Sequence, residues 1–161
     1  MNANRYKEMA MNRLLGLIVL VSLVVGPYCV TLHAKEVVAT PKEYGVYVKM
    51  KKTTKRLLPN IVFDEKGVLY LESNNPPRFP LAELELFIIY GKYDIKFLTL
   101  NPMLFVTETP LGKSRFLFGK EIELEVAKKS DVLYTVKPKA LFGRGYYSLW
   151  INDSAWDFVI E

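Results

Sequence analysis

Two sets of residues in this sequence have types suited to chemistry. The first is a scatter of carboxylates, among them Asp94, Glu108, Asp153 and Asp157. A pair of such groups held across a cleft can hydrolyse a glycosidic bond without help from histidine. No motif surrounds any of the four, and a small domain of strands and tight turns leaves little material for a deep cleft. A small carboxylate-dependent hydrolase is therefore the less favoured alternative, and no catalytic residue is assigned. Asn152-Asp153-Ser154 with Asp157 offers oxygen ligands of the kind Ca²⁺ takes, but the EF-hand spacing is absent. The same residue types are what a hairpin turn needs, so no metal and no cofactor is expected. The second set is aromatic. Tyr146 and Trp150 lie an even number of residues apart in an alternating run, so they share one strand face. Rings presented in this way stack on sugars or bury at protein interfaces. Tyr146 and Trp150 are the candidate binding surface.

Other chemistries are limited by composition. Cys29 is the only cysteine and His33 the only histidine. Both sit beside a leader-like segment. Met1–Arg13 is polar and net basic, Leu14–Gly26 is uncharged and almost wholly apolar, Pro27 would break a helix, and Thr31–Ala34 ends on a small residue. This is the layout of a secretory signal peptide. The expected cleavage follows Ala34, giving a leader over 1–34 and one domain over 35–161. The alternative is an uncleaved membrane anchor through Leu14–Gly26, although that run is short of the roughly 20 residues a span needs. Lipidation at Cys29 fits poorly, because Pro27 and Tyr28 precede it where small residues are wanted. Cleavage at Ala34 would remove both Cys29 and His33. The mature chain could then build no Ser-His-Asp triad, Cys-His dyad, Cys/His zinc site or haem ligation through either residue. It would also have no disulfide. An exported domain of that kind is ordinary in bacteria, so the expected location is periplasm, cell surface or exterior.

The net charge of +5 is thinly spread. It forms no dense basic stripe, so a nucleic-acid partner is not expected. Lys49, Lys51, Lys52, Lys55 and Arg56 read as a solvated hairpin tip.

The elements that would position these residues are strands. Tyr44–Lys51, Arg56–Phe63, Val68–Glu72, Tyr93–Leu100, Met103–Glu108 and Arg115–Phe118 alternate or are rich in β-formers. Pro59 marks an edge or a bulge. Ser73–Pro80, with two Asn and three Pro, reads as a connection that can join neither helix nor ladder. Leu81–Tyr90 is ambiguous: Leu81, Leu84 and Ile88 could line a helix, but the alternation of Glu83–Leu86 and the β-formers of Phe87–Tyr90 favour a strand, with a helical turn near its start. Asn101-Pro102 reads as a strand end. The most legible stretch is Glu121–Glu161, two hairpins in succession. In the first, Glu121, Glu123 and Glu125 form a solvated row opposite Ile122, Leu124 and Val126. In the second, the apolar pattern pairs Ile151 with Trp156, Leu149 with Phe158 and Tyr147 with Ile160. That register turns Tyr146, Ser148, Trp150, Asp157, Val159 and Glu161 outward.

The cadence of YTVKPKALFGRGYYSLW…WDFVI, together with the early YGVYVKM, resembles uncharacterised exported bacterial β-sandwich proteins. The resemblance implies fold and location, and brings no active site. The expected architecture is a single antiparallel β-sandwich of about seven to nine strands, immunoglobulin-like in outline, behind a signal-peptide helix. The expected role is a non-catalytic interaction or structural module of the bacterial envelope or secretome. Its expected partner is an unknown protein there. The alternative is a carbohydrate-binding module that holds a glycan on Tyr146 and Trp150.

Overall fold

The computed structural model describes residues 39–139 and 142–161. The expected leader, with Leu14–Gly26, Cys29 and His33, lies outside them. In chain order the strands are β1 (Gly45–Met50), β2 (Thr54–Leu57), β3 (Asn60–Ile61), β4 (Phe63–Glu65), β5 (Val68–Ser73), β6 (Arg78–Phe79), β7 (Leu84–Tyr90), β8 (Thr99–Glu108), β9 (Ser114–Phe118), β10 (Leu124–Lys128), β11 (Leu133–Pro138), β12 (Gly145–Ile151) and β13 (Ser154–Ile160). The helical pieces among the described residues are 3₁₀ turns at Leu81–Glu83 and Ile95–Phe97. None is long and apolar enough to cross a membrane.

The described residues are all-β, in two antiparallel sheets. The first has the order β10-β11-β7-β1-β2. The second runs β3-β13-β12-β8-β9-β5-β4, with β6 alongside β13. Only Val62 separates β3 from β4. The two ends of the second sheet are thus joined by the chain itself, and the sheet curls almost into a barrel. One core lies between the sheets: Val46, Val48, Phe87, Ile89 and Val136 meet Leu100, Leu149, Trp156, Phe158 and Ile160. A smaller one lies inside the curl, where Leu71, Met103 and Ala155 pack with Val62, Phe116, Phe118 and Tyr146.

Several expectations hold locally. Leu81–Tyr90 is a 3₁₀ turn followed by a strand, and Glu121, Glu123 and Glu125 are exposed. The strand count differs, because Arg56–Phe63 is no single strand. Pro59 divides it, and its pieces serve different sheets: β2 pairs with β1, β3 with β13 and β4 with β5. Arg78 and Phe79, expected to stay out of any ladder, pair in parallel with Val159 and Ile160.

Asn101-Pro102 does not end a strand. Pro102 lacks the N–H that would bond across to β9, but Asn101 supplies a substitute. Its Nδ2 donates to the Gly119 carbonyl at 3.0 Å, while the Gly119 N–H donates to the Pro102 carbonyl at 2.7 Å. The ladder therefore passes through the proline. A Cβ on Gly119 would lie 2.8 Å from that same carbonyl oxygen, so the close approach requires glycine.

The last hairpin also departs from its expected register. Leu149 pairs with Trp156 and Tyr147 with Phe158, while Ile151 faces Ser154. The shift is two residues, and the connection is a tight Asn152-Asp153 loop. Asn152 sits in the left-handed region at φ 54°, which asparagine tolerates. An even shift leaves the inward set unchanged, so Tyr147, Leu149, Ile151, Trp156, Phe158 and Ile160 are all buried as expected. On the opposite face, expected to be open, Ser148 and Asp157 are buried, Tyr146, Trp150 and Val159 are half-buried and Glu161 is exposed, because β12 and β13 stand between the two cores.

Candidate functional site

Tyr146 packs into the curl of the second sheet, and Trp150 packs against Phe118 of the same sheet. The Tyr146 ring lies 4.2 Å from that of Phe116, and the Trp150 ring 5.0 Å from that of Phe118. The Trp150 indole N–H donates to the Asn152 carbonyl. Both side chains are half-buried.

What Tyr146 does contact is a carboxylate. Asp157, expected on the outer face, is only 7% exposed. Its Oδ2 accepts from the Tyr146 hydroxyl at 2.6 Å and from Ser73 Oγ at 2.7 Å. Its Oδ1 accepts from Asn60 Nδ2 at 3.3 Å. An unpaired carboxylate would be costly to bury, but hydrogen bonding removes much of that cost. Burial pushes the Tyr146 hydroxyl pKa well above the ordinary tyrosine value, and the Asp157 charge adds to the effect. The hydroxyl therefore stays protonated as a donor.

Asp157 also borders a cleft of about 590 Å³. On the outer edge of β13, β3 pairs only with Ser154 and Ala155, and β6 only with Val159 and Ile160. Asp157 falls in the gap between them. Leu58 and Pro59 form one wall, and Pro76 and Pro77 another. Arg56 and Arg78 also line it, each already held by a carboxylate: Arg56 by Glu43 at 2.5 Å and Arg78 by Glu161 at 3.4 Å. The Ser73–Pro80 connection thus supplies much of the site. Ser73 carried only the signal of opening that connection, and Asn60 carried none.

The remaining candidates stay apart. Asp94 caps the second 3₁₀ turn by accepting from the Lys96 N–H, and Asp153 and Glu108 are exposed. Asn152 and Asp153 lie in an exposed loop, whereas the Asp157 carboxylate is turned toward Tyr146, Ser73 and Asn60. Among the described residues no group of three or more His, Cys, Asp or Glu could hold a metal ion.

A second surface lies on β8. β12 pairs with β8 only from Thr99 to Pro102, whereas β9 accompanies β8 to Glu108. Beyond Met103, the side of β8 away from β9 has no strand partner among the described residues. Leu104, Phe105 and Val106 there are 56%, 59% and 50% exposed. Leu104 also ends an apolar row across four strands, through Leu117 and Tyr70 to Phe63. Arg115 lies over the Tyr70 ring at 4.0 Å and pairs with Glu72 at 3.0 Å. The edges of the first sheet look different: β2 carries Lys55 and Arg56, and β10 carries Glu125 and Lys128.

Compared with known proteins, the chain matches no family model, no curated protein and no solved structure.

Proposed function

We propose that this chain is an exported, non-catalytic β-sandwich domain that binds another protein of the bacterial envelope or secretome, receiving an extended segment of that partner along β8. The observation that carries the reading is the uncharged edge from Leu104 to Thr107, apolar at its first three residues and without a strand partner on that side among the described residues. Sheet edges normally carry charge, proline or a cover, because open N–H and C=O groups template pairing with another chain. Here β2 and β10 carry charges along their length, whereas β8 carries none from Leu104 to Thr107, where a bulge at Val106 interrupts its pairing with β9, and meets a charge only at Glu108. Strand addition takes affinity from backbone hydrogen bonds and specificity from alternate side chains. Those side chains would meet Leu104, Phe105 and Val106 across the new pairing. Export rests on the leader pattern over 1–34 and predicts a secreted form beginning at Lys35, which mass spectrometry of the exported protein reads directly. The alternative, a glycan held on Tyr146 and Trp150, is less favoured by the packing of these rings on Phe116 and Phe118.

The binding test uses a displayed library of ten-residue peptides. Apolar-alternating peptides should bind the protein and weaken at least tenfold on Phe105→Lys with Val106→Lys. Equal enrichment on both proteins, or a protein that sediments as a dimer through this edge, overturns the reading.

A further inference from the structure

The cleft beside Asp157 is separate from the β8 edge and has its own chemistry. We propose that it binds an ammonium group carried on an apolar body, with the Asp157 carboxylate receiving the charge. A carboxylate has about four acceptor positions. Asp157 fills two on Oδ2 with short bonds, and Oδ1 has a single long one. All three donors are neutral, so its negative charge has hydrogen bonds but no counter-ion among them. A buried charge in that condition gains most from a cation.

The arginines do not supply it. Arg56 is occupied by Glu43 and by the Tyr44 carbonyl, and Arg78 by Glu161. Once those pairs cancel, the site retains one negative charge. An anionic ligand drawn to the remaining N–H groups of either arginine would lie beside Glu43 or Glu161 and would face Asp157. A neutral polyol could bond to Oδ1 but would leave the charge unbalanced. An alkylammonium satisfies both, with its carbon chain against Leu58, Pro59, Pro76 and Pro77. Proline walls are stiff, so little ordering opposes binding. The ammonium group could come from a lysine side chain of a peptide or from a free aliphatic amine.

Amide chemical-shift titration of the purified protein tests this. The probes are n-butylammonium, n-butanol, butyrate and Nα-acetyl-lysine amide. Butylammonium should move the Asn60, Ser73 and Asp157 amides and saturate. Butanol should bind at least tenfold more weakly, and butyrate should move none of them. Tighter binding of the lysine amide points to a peptide source, and equal binding to a free amine. Asp157→Asn should weaken butylammonium at least tenfold. Arg78→Gln, which frees Glu161 at the rim, should tighten it severalfold. Equal shifts from butanol and butylammonium overturn the proposal, as does unchanged affinity in a folded Asp157→Asn protein. Should that variant not fold, Arg78→Gln decides, and unchanged or weaker binding there is the overturning result.

Discussion

Tyr146 shows how a residue's meaning changes with its surroundings. By type and spacing it is a surface aromatic, but in the fold it is a buried donor to Asp157. Tyr146→Phe removes one of three donors from a buried carboxylate and should cost roughly 1–3 kcal/mol, measurable by urea unfolding. The raised pKa has a signed consequence. The unfolded tyrosine ionises near pH 10, whereas burial and the neighbouring carboxylate keep the folded one protonated. Its contribution is fully present below pH 10, and stability falls as the pH rises above it. Tyr93, also raised by burial, adds to this loss. Unfolding measured from pH 9 to pH 11.5 should show the decline, and Tyr146→Phe should make it shallower. The tyrosine was identifiable in the sequence as a candidate. Its partners were not, because Ser73 and Asn60 lie 84 and 97 positions from Asp157.

At the scale of elements, β8 is the strand the sequence divides and the fold keeps whole. Its continuity depends on the Asn101 amide replacing the N–H that Pro102 lacks. Asn101→Ala leaves the Gly119 carbonyl without that donor and should cost about 1–3 kcal/mol. Asn101→Asp should not rescue the loss, since an ionised carboxylate cannot donate; thermal unfolding of both variants checks this. The same strand carries the proposed docking edge, so its pairing with β12 ends where its exposed apolar residues begin. The C-terminal hairpins make a related point. Both are present, yet β10–β11 joins the first sheet and β12–β13 the second. Alternation marks a hairpin without marking its sheet. It also cannot separate registers two residues apart, which is why Ile151 meets Ser154 rather than Trp156.

At the scale of the whole molecule, Phe158 joins the two sheets. It is fully buried, 5.2 Å from the Phe87 ring of the first sheet and 6.1 Å from Tyr147 of the second. Phe158→Ala should therefore cost roughly 3–5 kcal/mol. Tyrosine fluorescence and far-ultraviolet dichroism should report the same shifted denaturation midpoint. Separate transitions would mean that the sheets do not share one cooperative core.

The sequence by itself determined the all-β class and the inward face of the last hairpin. Both follow from the period-two alternation of side chains, which is a local property of the backbone. The tertiary structure alone decided that much of the other face of that hairpin is enclosed too. It does so by joining β3 to β4 through a single residue and curling the second sheet around Tyr146 and Asp157. Such a closure depends on which distant strands pair, and no local periodicity encodes that choice. The physical consequence is a carboxylate that the sequence would leave in water and that the fold instead sets, hydrogen-bonded, at the edge of a cleft.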